Sequence, residues 1–179
     1  MDLDLVYKQA KELAKKHLQR PYGLATWLQH LQRTEDVLVQ FGYGPKTVDG
    51  QKLLVLAWAH DLLEGTELSV KELDQAIGTE LSKTVQALTL NSKRSRLDSL
   101  ENFVKVLADN PLAVILKQAT RISHLEEARR KINSLNDKKH LRALQKEAKV
   151  FAKLKDLGGD ELMWVFIDEL TNTADYQPV

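Results

Sequence analysis

Leu53-Leu54-Val55-Leu56-Ala57-Trp58-Ala59-His60-Asp61-Leu62-Leu63-Glu64-Gly65-Thr66 is the stretch that decides how this 179-residue chain reads. Its apolar run, 53–59, is far shorter than the ~20 residues a membrane-spanning helix needs. On a helix it is apolar all round, which places that helix at the centre of a fold. The run ends in two adjacent metal-type ligands, His60 and Asp61, with the carboxylate of Glu64 following. Neighbouring residues on a helix point about 100° apart. The pair therefore converges on one ion only if other elements bring further ligands, and His30, inside an earlier amphipathic segment, is a candidate.

Outward from this stretch the pattern is helical nearly throughout. Four prolines and eight glycines punctuate it, and few runs alternate as a half-buried strand would. Helices are predicted over 2–18, with Leu5, Ala10, Leu13 and Ala14 on one face, over 24–41, and over 47–63. Gly42-Tyr43-Gly44-Pro45 separates the last two. Ser69-Val70-Lys71-Glu72 reads as a capping box opening a short helix to Ile77, closed by Gly78. Helix resumes over 79–90, and 92–96 form a polar, basic connector. A further helix over 98–108 carries Leu100, Phe103, Val104 and Leu107.

Asn110-Pro111 supplies an N-cap and a first-turn proline for a helix to about 132. A charged surface helix within 134–157 is broken by Gly158-Gly159. The last helix, 160–171, is expected to face inward with Leu162, Val165, Phe166 and Leu170. The prediction is one all-α helical bundle, a single domain over 1–179.

Composition narrows the function classes. Hydrophobic residues make up 43% and charged residues 28%, the balance of a folded globule. Lysine plus arginine (26) nearly cancels aspartate plus glutamate (25), which favours neither a nucleic-acid binder nor a membrane-surface protein. Without cysteine there is no thiolate metal site, disulfide framework or cysteine nucleophile. The start, Met1-Asp2-Leu3-Asp4-Leu5, lacks the basic flank of a secretory signal, so a soluble, cytoplasmic protein is expected. A homo-oligomer is compatible with this composition.

Three segments in order give a specific resemblance. They are Thr26-Trp27-Leu28-Gln29-His30, then Trp58-Ala59-His60-Asp61-Leu62-Leu63-Glu64-Gly65-Thr66, then Lys117-Gln118-Ala119-Thr120-Arg121-Ile122-Ser123-His124-Leu125. The chain resembles the HD-domain phosphohydrolases, in the branch of the stringent-response hydrolase domain, which removes the 3′-pyrophosphate of (p)ppGpp. There the segments read Pro-Tyr-x-x-His, Leu-Leu-His-Asp-x-x-Glu-Asp-Thr and Lys-Leu-Ala-Asp-Arg-Leu-x-Asn.

The resemblance implies an HD-type helical bundle with His30, His60 and Asp61 as ligands of a divalent metal, Mn²⁺ before others. It implies Glu64 as the carboxylate handling the attacking water, and a pyrophosphorylated nucleotide as substrate. Four departures bear on activity. Thr120 stands at the fourth ligand, an Asp in the family, and Gly65 at the second acid of the pair. His124 replaces the nucleotide-side Asn, and Trp27 the tyrosine of the first motif.

Two histidines and a carboxylate still hold metals in facial-triad sites, so weakened binding is expected before outright loss. His124, four residues after Thr120, shares its helix face and could turn into the vacancy, although an ordinary surface or core histidine is the simpler account. Arg20, Lys93, Arg94, Arg96 and His124 are candidate substrate contacts, with a solvated charge cluster the plainer reading of the first four. Two functions follow: a weakened metal-dependent phosphohydrolase, or an inactive relative kept as a nucleotide- or protein-binding regulatory module.

Overall fold

A computed structural model describes residues 2–19, 21–22, 25–89, 107, 110–130 and 135–172. The expected connector over 92–96 and the helix over 98–108 lie outside these residues, except for helical, fully buried Leu107. The described architecture is all-α. Its helices are α1 (Leu3–His17), α2 (Trp27–Gln40), α3 (Val48–Ala59), α4 (Leu62–Gly65), α5 (Val70–Ile77) and α6 (Thr79–Leu88), then α7 (Pro111–Arg130), α8 (Leu135–Phe151) and α9 (Glu161–Asn172). A 3₁₀ segment, Ala152–Leu157, joins α8 to the Gly158-Gly159 break.

The ends of these helices follow local chemistry. Asp2 caps α1 by accepting from the Asp4 and Leu5 amides. Thr26 and Gln29 form a capping box at α2, and Ser69 and Glu72 form the expected one at α5, so orphan first-turn amides are satisfied. Asn110 Oδ1 accepts from the Ala113 amide ahead of α7, as its sequence signature predicted.

The second helix starts later than 24. Pro21–Tyr22 and Ala25–Thr26 instead pair as a two-residue antiparallel ladder, with Pro21 opposite Thr26. At Gly50 a Cβ would fall 2.0 Å from the Gly44 carbonyl oxygen, so only glycine lets the start of α3 lie against that turn.

The apolar stretch behaves as its composition demands: Leu53 to Ala59 are all buried. α3 runs between α1 and α2 and also meets α6 and α7. α7 packs on α2, α8 and α9, giving the site a second central helix. Fully buried Leu31, Leu53, Leu56, Leu81 and Leu116 join these helices in one apolar cluster.

Two inward faces differ from expectation. On α1, Val6 is buried and Leu5 is 53% exposed. On α9, Met163, Trp164, Ile167 and Leu170 point in, while Leu162 and Val165 are 70% and 55% exposed. The Trp164 indole donates to the Gly158 carbonyl at 2.9 Å, which fixes the rotation of α9 about its axis. Gln118 of α7 does the rest. Its amide donates to the Asp160 carbonyl and accepts from the Asp160 amide, both at 2.9 Å.

Candidate metal and phosphate site

The decisive local event is a break in the central helix. Instead of running to 63, α3 stops at Ala59, His60 and Asp61 form a turn, and α4 begins at Leu62. Asp61 has φ −98° and ψ −1° at the N-cap of α4, yet its side chain caps no amide. An aspartate there would ordinarily accept from the first helical turn. Here the carboxylate turns toward the histidines, with Oδ1 3.3 Å from His60 Nε2.

Three elements then meet. His30 Nε2, from the first turn of α2, lies 3.3 Å from His60 Nε2. Asp61 Oδ1 is 3.3 Å from His60 Nε2, and Asp61 Oδ2 is 3.7 Å from His30 Nε2. His60 Nδ1 lies 3.0 Å from the Ala57 carbonyl oxygen. A carbonyl only accepts, so Nδ1 carries a proton, and Nε2 is the ring nitrogen turned toward His30 and Asp61.

His30 is 1% exposed. Burial first, then His124 and His60, holds its pKa well below the usual histidine range, so the imidazole stays neutral. Asp61 Oδ2 is buried without a hydrogen-bond partner. A buried carboxylate oxygen without a hydrogen-bond donor is costly, and a divalent cation held by it and the two imidazoles would satisfy it. These donors fit such an ion.

The trio opens into a cavity of about 450 Å³. Glu64 of α4 lines it, as do Thr120 and His124 of α7. The Thr120 hydroxyl donates to the Lys117 carbonyl at 2.9 Å, so it serves its own helix. The His124 ring stacks on His30 at 4.5 Å between centroids with planes 17° apart. Burial, followed by Arg121 and Lys117, keeps its pKa well below the usual histidine range as well. Arg20, Lys93, Arg94 and Arg96 lie outside the described residues.

Sequence reasoning passed over the cations that do line the cavity, Lys117 and Arg121. With Thr120 and His124 they occur at i, i+3, i+4 and i+7 on α7, a polar stripe on an otherwise buried helix. That stripe was the available signal. Burial and then Arg121 lower the Lys117 pKa, while Asp61 and Glu64 act to raise it, which places the ammonium within their field. Arg121 Nη1 meets Glu147 of α8 at 3.0 Å. His140, exposed on α8, completes the opposite rim.

Comparison with solved structures bears on the fold. The chain superposes with TM-score 0.68 on a protein described as a metazoan ortholog of SpoT that hydrolyzes ppGpp and plays a role in starvation responses. The match covers 94% of this chain and 92% of the other at 13% identity. The chain has an HD-type fold. Among curated proteins it is similar to the GTP pyrophosphokinases rsh of Brucella ovis and Brucella abortus, 23% identical over 124 residues. That match covers 65% of this chain and 16% of those proteins, so the chain spans a small part of their length. No family model matches. No helix among the described residues of this HD-type fold is long and apolar enough to cross a membrane.

Proposed function

We propose that this HD-type domain binds a pyrophosphorylated nucleotide such as (p)ppGpp and hydrolyses it weakly, with His30, His60 and Asp61 holding a divalent cation. The observation that carries the reading is the convergence of these three donors around the unpartnered Asp61 Oδ2, beside Lys117 and Arg121 in one cavity. The similarity to GTP pyrophosphokinases and to a ppGpp-hydrolysing protein supports the substrate class.

When bound, a divalent cation neutralises phosphate charge and makes water more acidic. The chain's own groups do the rest. Lys117 and Arg121 offset the remaining phosphate charge. Glu64, at the cavity rim, accepts the proton of the water whose oxygen attacks phosphorus as the bond to the leaving oxygen breaks. The flat face of His124, stacked on His30, walls the nucleotide side. Thr120 and Gly65 supply neither a ligand charge nor a second acid. Oriented acid/base groups contribute about 10²–10⁴-fold in rate, so slow turnover is expected.

A second reading, binding without turnover, draws on the Thr120 hydroxyl, which is committed to the Lys117 carbonyl. Calorimetry with ppGpp and a divalent cation, paired with chromatographic detection of released pyrophosphate, tests both. Binding with slow release, abolished in His60→Ala and raised in Thr120→Asp with Gly65→Asp, is the expected result. Binding with no release over many hours leaves the regulatory module. A protein that binds no pyrophosphorylated nucleotide overturns the hydrolase reading and the nucleotide-binding form of the second.

A further inference from the structure

The donors at the cavity floor are two nitrogens and one oxygen, a ratio that discriminates between divalent ions. We infer that His30, His60 and Asp61 select an imidazole-preferring ion of the zinc class over the manganese ion that the resemblance implies; this rests on the metal-site reading above. Imidazole suits zinc, iron and nickel, whereas carboxylate, carbonyl and water suit manganese and magnesium. Among the described residues, only Asp61 brings a carboxylate into the donor cluster.

The geometry permits a shared ion. His30 Nε2 and Asp61 Oδ1 each lie 3.3 Å from His60 Nε2, near the ~3.3 Å between neighbouring donors on a tetrahedral ion with bonds of 2.0–2.1 Å, while the 3.7 Å approach of Asp61 to His30 is made by its other oxygen, Oδ2. Catalytic zinc sites use this count, three protein ligands including two histidines and a carboxylate, with one position open.

What surrounds the cluster moves it the same way. At positions 120 and 124, α7 offers the donor cluster a hydroxyl bonded to the Lys117 carbonyl and an imidazole stacked on His30, neither of them an anionic oxygen. Lys117 and Arg121 put positive charge on that helix. Glu64, Glu127 and Glu147 also line the cavity outside the donor cluster, Glu147 paired with Arg121.

Nearly every nitrogen–oxygen site binds zinc more tightly than manganese, so the raw preference is not the test. The informative quantity is how the preference changes when a carboxylate is restored. Chelator-stripped full chain is titrated with Zn²⁺ and separately with Mn²⁺, against a competing chelator, as wild type and as Thr120→Asp. Thr120→Asp is expected to strengthen Mn²⁺ binding at least ~10-fold and Zn²⁺ binding less than ~3-fold. Equal gains for both ions in a folded variant overturn the inference and leave the metal-site reading standing.

Should the buried Asp prevent folding, judged by circular dichroism, the visible spectrum of Co²⁺ in wild type decides. Intense bands of a four- or five-coordinate ion support the inference, and weak octahedral bands overturn it. A wild type that binds none of the three ions overturns the metal-site reading itself, and the inference with it.

Discussion

α2 and α3 build two polar clusters a few residues apart, one closed and one open. In the closed cluster Glu35 of α2 accepts from Tyr7 Oη at 2.8 Å and from the Trp58 indole of α3. Lys11 lies 3.7 Å from Glu35, donates to Tyr7 Oη at 2.9 Å, and sits 4.3 Å above the Trp58 ring. Both Glu35 oxygens have donors. In the open cluster His30 of α2 and His60 beyond α3 face a carboxylate oxygen with no donor. The same two helices thus carry one polar group completed by the chain and one left for a ligand. Polarity in a core does not mark a site; unfinished hydrogen bonding does.

The largest contrast should appear on adding metal. A cation at ~1000 times its dissociation constant adds about 4 kcal/mol to unfolding stability. Urea titration with and without saturating Zn²⁺ should show that gain in wild type and almost none in His60→Ala. A gain retained in His60→Ala would place the ion elsewhere and break the comparison.

Next comes the closed cluster. Glu35→Ala leaves the Tyr7 hydroxyl, the Trp58 indole and Lys11 without their acceptor, at a cost of about 2–3 kcal/mol. The same urea experiment measures it, and Zn²⁺ affinity should stay within ~3-fold of wild type, the loss of an outer metal partner costing ~10–100-fold. An affinity loss that large would mean the two clusters are one network.

The smallest effect is one of pH. Burial, then the Glu35 hydrogen bond, pushes the Tyr7 pKa above its ordinary value, so the fold favours the protonated phenol. That contribution is complete below the unfolded value of about 10 and is lost as pH rises toward the folded one. Wild-type stability should therefore fall above pH ~10 more steeply than that of Tyr7→Phe. Identical alkaline profiles would remove Tyr7 from the network.

Much of this was legible in the chain because it is local. The Ser69–Glu72 box, the Asn110-Pro111 start and the all-apolar run 53–59 each state their structure within a few residues. The family motifs led to the residues that converge. What was illegible depends on distant partners. Spacing alone allowed α9 to bury Leu162 and Val165, and a hydrogen bond from Trp164 to the preceding turn chose the other face. Likewise an apolar pattern running through residue 63 hid the break at His60-Asp61. Nothing in the spacing of α7 showed that the Thr120 hydroxyl would turn back to Lys117.

The paired hydrogen bonds of Gln118 with Asp160 have a consequence for the order of assembly. A side-chain amide there imitates a neighbouring strand, closing a loop of sequence separation 42. Gly159, at φ +94°, suits glycine, and a Cβ there would fall 2.6 Å from the Gln118 oxygen and displace it from its hydrogen bonds. That mould exists only once α7 has formed and turned Gln118 inward, so the turn leading into α9 has no template before then. Closing so distant a contact is entropically slow. α9 should therefore be the last helix to gain amide protection during refolding and the first to lose it. The wall that carries Thr120, two residues beyond Gln118, would then become rigid only when the far end of the chain arrives.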